Sequence, residues 1–176
     1  ADIGFEDESA VDLRDHSGKT WGACGKTPDV YATGKRGRLN ILSVVSAQGE
    51  LKYHVTEQRI DSEEYLRFLK QLIKGRERPL ILIVDRAPFH RSRMVRIFAW
   101  RHWRQIRLCY LPTYSPERNP DEHVWEEIKD KRLRRQSIKN KHDLKKRVHS
   151  ALKSLQHRAK RVISFFHLPE TQYAAQ

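Results

Sequence analysis

The sequence predicts an α/β domain built on a mixed sheet with flanking helices. Three observations carry that prediction. Two β-rich runs flank "AQGE" at 47–50, a continuous aliphatic run "PLILIV" occupies 79–84, and apolar stripes at helical spacing lie on both sides of that run. Read in order, the chain gives three β-rich runs, a helix, a strand, a helix, a strand and further helices, the alternation of an α/β architecture.

Each element has its own signal. "IGFED" (3–7) is a short apolar run ending in acids and reads as the first strand. The glycines and Pro28 of "HSGKTWGACGKTP" mark turns. "RLNILSVVSAQGELKYHVTEQ" reads as a hairpin. In "DSEEYLRFLKQLIKG", Leu66, Leu69, Leu72 and Ile73 share one helical face, Asp61 suits the N-cap with Glu64 three residues on, and Gly75 suits the end. "PLILIVDRAP" has no polar alternation, which marks a strand covered on both faces, and it stops at Asp85. "RSRMVRIFAWRHW" reads as a helix and "IRLCYLP" as a short strand. Two helices follow, at 120 to about 135 and at about 141 to 167. In the second, Leu144, Val148, Leu152, Leu155, Val162 and Phe166 form an apolar stripe beneath a basic face.

A length of 176 residues suits one domain, 1–176, with 137–176 as a basic helical extension. A hydrophobic content of 38%, with four Trp and six Phe, excludes a disordered chain. No run of eighteen apolar residues is present, so no membrane partner is expected, and the acidic start "ADIGFEDESA" lacks the apolar core of a signal peptide. Cys24 and Cys109 fit no metal or disulfide spacing and read as small buried residues of a reducing compartment. The net charge of +13 is localised: residues 129–161 hold 14 Lys or Arg against two acids, and the rest of the chain nets +1. Such a footprint points to a polyanion.

Three acids then fall at the ends of elements. Asp7 ends the first strand, Asp85 ends the aliphatic strand, and Glu122 opens the helix after the last strand. A carboxylate at the end of a buried strand is costly unless something neutralises it, and ligands of open α/β sheets bind beyond strand carboxyl ends. Converging carboxylates suit Mg²⁺ or Mn²⁺, and two such ions can clamp both oxygens of a phosphodiester displacement. In "EDE", Glu6 or Glu8 remain alternatives to Asp7, and Glu122 also suits a helix N-terminus through its dipole.

"FEDES", "LIVDRAPFHRS" and "LPTYSPERNPDEHVWEEIK" resemble the three signature blocks of DDE transposases of the Tc/mariner superfamily, especially its bacterial insertion-sequence branch. "TWGACGKTP" resembles that family's turn after the first strand, and the likeness covers about 3 to 135. The resemblance implies an RNase H-like fold with a mixed five-stranded sheet. It implies Asp7, Asp85 and Glu122 as the catalytic acids and metal ligands, with a gap of 36 residues between the last two, close to the family's usual gap. It implies two Mg²⁺ or Mn²⁺ ions and DNA as partner, both transposon ends and target duplex. Ends are cleaved, and the freed 3′-OH joins target DNA, with insertion at TA. A homodimer in the synaptic complex and a bacterial, cytoplasmic, nucleoid-associated location follow from the same likeness. No helix-turn-helix module precedes the first strand, so a catalytic domain alone is expected.

Three residues depart from the family pattern: Arg86 where Asn is common, Arg118 where Leu is common, and Asp121 where an apolar residue is common. Asp121 reads as a helix-start acid. His90, Arg86 and Asn119 are expected to support the site from behind, and Trp125 to anchor the helix presenting Glu122. Tyr114 and Ser115 are loop residues expected near DNA. Lys131, Arg132, Arg134, Arg135, Lys145 and Lys146 are expected to grip phosphates with strong salt dependence. Another RNase H-like nuclease or integrase, or a domesticated DNA-binding derivative without catalysis, are the competing readings.

Overall fold

A computed structural model describes residues 1–13, 37–112, 118–133 and 138–175. Among the described residues five strands are present: β1 (Asp2–Asp12), β2 (Arg38–Val45), β3 (Leu51–Thr56), β4 (Leu80–Val84) and β5 (Ile106–Tyr110). They form one sheet in the order β3-β2-β1-β4-β5. β1 pairs antiparallel to β2 and parallel to β4, and β4 pairs parallel to β5, so the sheet is mixed as the sequence predicts.

Helices α1 (Ser62–Ile73) and α2 (Arg93–Arg101) cover one face. There Leu42, Leu82, Val84, Tyr65, Phe68 and Val95 form one buried cluster. The other face carries α3 (Glu122–Trp125), a π-helical segment (Glu126–Leu133), α4 (Lys141–Gln156) and α5 (Ala159–Ser164). Phe5, Val11, Trp125, Leu152 and Phe166 belong to that second cluster. None of the described helices is long and apolar enough to cross a membrane.

Local chemistry sets the boundaries. The Asp61 carboxylate accepts the Glu63 and Glu64 amides at 3.0 and 2.9 Å and starts α1, and Gly75, at φ +71°, lets the chain leave it. The hairpin turn needs Gly49 twice. Its φ is +87°, and a Cβ there would sit 2.9 Å from the Ala159 carbonyl of α5.

Four expectations are corrected. The first strand does not end at Asp7: β1 runs on to Asp12 because β2 pairs with it along that length, while pairing with β4 stops at Phe5↔Ile83. The helix read over 141–167 breaks at His157–Arg158, where the His157 ring bonds the Lys153 carbonyl at 2.7 Å. The break returns Phe166 onto Phe5, ring centroids 5.7 Å apart. The helix read from 120 is one α-turn followed by eight π-helical residues, a rare geometry that often marks functional sites. Cys109 is exposed, because β5 is an edge strand; Cys24 and the 20–28 turn lie outside the described residues.

Candidate functional site

Alternation along β1 throws neighbouring acids to opposite faces. Phe5 and Asp7 face the α3–α5 layer, and Gly4 and Glu6 face α1 and α2. Extending the β1–β4 register by two residues sets Asp7 level with Asp85, at the point where β4 leaves the sheet. Glu122 enters from the start of α3.

Asp7 is held by Trp125, whose Nε1 donates to Oδ2 at 3.1 Å, while the indole is itself buried. The expected anchor therefore also touches the acid. Burial, then the charges of Glu122 and Glu6, push the Asp7 carboxyl up to about 8, against the Glu8 amide and the Trp125 N–H. Burial raises Glu122 as well, with Lys129 opposing.

Asp85 stands apart from that pair. Its Oδ1 accepts from the Ala87 amide at 2.8 Å and from His90 Nδ1 at 2.7 Å. The His90 bond comes first among the causes that hold Asp85 below the usual carboxylate range. His90 is buried, and its Nε2 lies 2.9 Å from Glu6 Oε2 with the ring misaligned for a hydrogen bond, so that contact is Coulombic. Burial pulls the imidazole down, but Glu6 and Asp85 outweigh it and raise it to about 10, so His90 is an imidazolium. Among the described residues, no three His, Cys, Asp or Glu side chains gather at metal-holding spacing. Asp7 and Glu122 carry hard oxygen donors of the kind a divalent ion takes, and a cation there would offset the charge that Glu122 sets against Asp7.

Asp121 is corrected. It makes no side-chain cap bond; it is fully buried against β2. Ser43, the register partner of Asp7, donates its hydroxyl to Asp121 Oδ2 at 2.5 Å, and Oδ1 has no partner. Burial, then Asp7, push its carboxyl well above the usual range. Asn119 ties the loop to β1, donating to the Glu6 carbonyl at 2.9 Å and accepting the Asp121 amide at 3.1 Å. Arg86 Nε donates to the Leu111 carbonyl, bracing the loop after β4 against the end of β5.

Beside the acids an open cleft of about 870 Å³ is lined by Glu8, Arg38, Arg59, Phe89 and Lys129. Sequence reasoning missed Arg38, Arg59 and Ser43, because neither charge runs nor motif spacing marks them. It named Glu6 only as an alternative to Asp7, and strand alternation is the signal that separates the two. Of the expected phosphate grips, Lys146 is exposed, and Lys145 is half-buried and 3.4 Å from Glu57. Lys131 and Arg132 lie on the π-helical segment, while Arg134, Arg135, Tyr114 and Ser115 lie outside the described residues.

The fold is that of Mos1. The chain matches the Mos1 strand transfer complex with TM-score 0.62 at 16% identity, over 92% of this chain and 53% of that one. It matches the mariner Mos1 paired end complex with Mg with TM-score 0.63 at 16% identity, over 93% and 55%. It matches the catalytic domain of Mos1 mariner transposase with TM-score 0.55 at 15% identity, over 92% and 80%. The chain thus spans about half the length of the Mos1 chains in the strand transfer and paired end complexes. No curated protein matches the sequence. Residues 2–145 match the family described as DDE superfamily endonuclease, and the chain belongs to that family.

Proposed function

We propose that the chain is the catalytic domain of a DDE transposase of the Tc/mariner type, in its bacterial insertion-sequence branch. Asp7, Asp85 and Glu122 are its metal-binding carboxylates. The observation that carries this reading is the register that sets Asp7 level with Asp85 where β4 leaves β1, with Glu122 at the start of the helix whose Trp125 bonds Asp7. Two Mg²⁺ or Mn²⁺ ions supply the charge that a phosphodiester displacement needs; Mos1 paired-end complexes hold Mn and Mg. The protein's own part is positional. Trp125 fixes Asp7, His90 fixes Asp85, and Asn119 fixes the start of the helix that presents Glu122. Arg38, Arg59 and Lys129 offer the cleft's cations to DNA phosphates, with Lys146 adding an exposed charge farther along. Transposon ends are cut, and the freed 3′-OH is joined to target DNA at TA within a homodimer, in the bacterial nucleoid.

Asp85→Ala tests the site on supercoiled plasmid with Mg²⁺ or Mn²⁺: nicking is expected to be lost, and undiminished nicking refutes the assignment. One observation favours a second reading, a DNA-binding derivative without catalysis: the Asp85 carboxylate is bonded to His90 and Ala87 rather than to groups around Asp7. Tight DNA binding by the unaltered chain with no metal-dependent nicking would select that reading.

A further inference from the structure

Residues 91–107 hold six arginines and no acid. Arg91, Arg93, Arg96, Arg101, Arg104 and Arg107 are all exposed, and among the described residues none has a carboxylate within ion-pair distance. Two large aromatics stand among them. Trp100 is 75% exposed and Trp103 is 51% exposed. The buried residues of α2, Val95 and Phe98, already face the core, so these tryptophans are not needed to hold the helix down. With Met94 and Ile97, also exposed, they make a run of large apolar side chains rimmed by charge, the kind of surface that marks an interaction site.

The placement is ordered. Arg93, Arg96, Ile97 and Trp100 stand at i, i+3, i+4 and i+7, which puts them on one side of α2. Beyond the helix, the guanidiniums of Arg104 and Arg107 lie 5.2 and 5.8 Å from the Trp103 ring centroid. Both guanidiniums lie over that ring, so positive charge is held against the indole at the end of the strip. The strip begins three residues after His90 and runs along α2 to the start of β5, at the sheet edge and at the far end of β4 from Asp85.

We propose that this α2–β5 strip binds a DNA strand carrying unpaired bases, with the arginines on its phosphates and Trp100 and Trp103 as stacking platforms. The charge decides the class of partner. A second copy docked about a two-fold axis would set arginine against arginine, whereas a polyanion relieves the repulsion. The exposed indoles decide the form of the DNA: a base in a duplex hides its face, and an unpaired base offers it. The strip is separate from the basic C-terminal helices on the other side of the sheet, so one strand could be held here while a duplex lies elsewhere. The inference rests on the DNA-directed reading above.

The test uses the full chain, titrated with oligothymidylate and with a hairpin duplex, followed by tryptophan fluorescence and by anisotropy of labelled DNA. Oligothymidylate is expected to quench emission, and Trp100→Ala to weaken its binding at least about five-fold, as loss of one base stack does. Arg93→Ala with Arg96→Ala should flatten the slope of log affinity against log salt by about 1.4, two phosphates at about 0.7 each for a single strand. Trp100→Ala should leave the thermal melt unchanged, since the ring is exposed. Unchanged oligothymidylate affinity in Trp100→Ala overturns the proposal. So does a concentration-dependent dimer that Trp100→Ala dissolves, which would make the strip a contact between copies. Asp85→Ala separates the two readings: it removes nicking without touching this face, so the strip can fail while the metal site stands.

Discussion

The buried pair of Asp121 and Ser43 offers the sharpest test of how the site is built. Asp121 has no exposed surface, one oxygen bonded to Ser43 at 2.5 Å and the other without a partner. An orphaned buried acceptor costs about 1–3 kcal/mol, whereas replacing both partners of a buried hydrogen bond with apolar groups of similar shape is nearly neutral. Asp121→Val with Ser43→Ala should therefore raise stability by about 1–3 kcal/mol, which at about 2–4 °C per kcal/mol for a chain of this size lifts the melting point by about 2–12 °C. Ser43→Ala alone should do the reverse, because it takes the Ser43 hydroxyl away from the buried Asp121 Oδ2, at a cost of about 1–3 kcal/mol. The two changes are in contact and should not add; a coupling of about 1 kcal/mol or more is expected. Urea unfolding of the four chains in chelator measures this. If Ser43→Ala is harmless and the double variant is no more stable than the parent, Asp121 is satisfied in a way this geometry does not contain. The same double variant assayed for nicking separates stability from chemistry, since an acid kept at a cost to stability is one that function retains.

Three further outcomes follow from named contacts. Trp125→Phe keeps most of the ring but removes the N–H held by Asp7, so stability should fall by about 1–2 kcal/mol and nicking at saturating DNA should fall while DNA affinity holds; equal nicking would show that Asp7 needs no such support. His90→Ala leaves Glu6 buried without its cation and should cost about 3–5 kcal/mol in urea unfolding, with Glu6→Gln added to it recovering most of the loss; a harmless His90→Ala refutes the pairing. Burial pushes Glu64 up, but His54 at 2.7 Å, Thr56 and Arg67 more than offset it and hold its carboxyl below the usual range. A depressed folded value means stability that is present above the unfolded value of about 4.3 and is lost as pH falls through the folded one, so the gap between parent and Glu64→Gln should close below about pH 4.

The strands and the first helix were legible because local chemistry fixes them. Asp61, Gly49 and Gly75 mark their boundaries by capping and by positive φ, and "LILIV" can only be a covered strand. The apolar stripe from Leu144 to Phe166 was legible by period alone, yet the break at His157 was not, because it depends on docking Phe166 against Phe5. The length of β1 was hidden for the same reason: residues 8–12 are held by pairing with β2, a partner distant in sequence. Within the site, motif spacing named Asp7, Asp85, Glu122 and Trp125, but it held no sign of the contacts around them: Trp125 on Asp7, and His90 on Asp85. Asp121 looked like a helix-start acid because helix N-termini favour acids, and only the approach of Ser43 from β2 shows where its side chain goes.

Glu6 and Asp7 form an internal comparison that argues for the site. They are adjacent acids on one strand, and alternation turns them to opposite faces, Glu6 fully buried and Asp7 half-buried. A buried carboxylate needs a cation or a proton. For Glu6 the protein supplies the cation: His90 comes from the loop after β4 and stays charged between Glu6 and Asp85. For Asp7 the dominant neighbours are acids, Glu122 and Glu6, opposed only by the amide of Glu8 and the indole N–H of Trp125. The chain has 35 basic residues, so this is not a shortage of cations in the sequence. The compensation is uneven at the one place where β4 departs and the sheet edge opens. On the proposed reading, a cation from outside would complete the Asp7 face as His90, bonded also to Asp85, completes the Glu6 face.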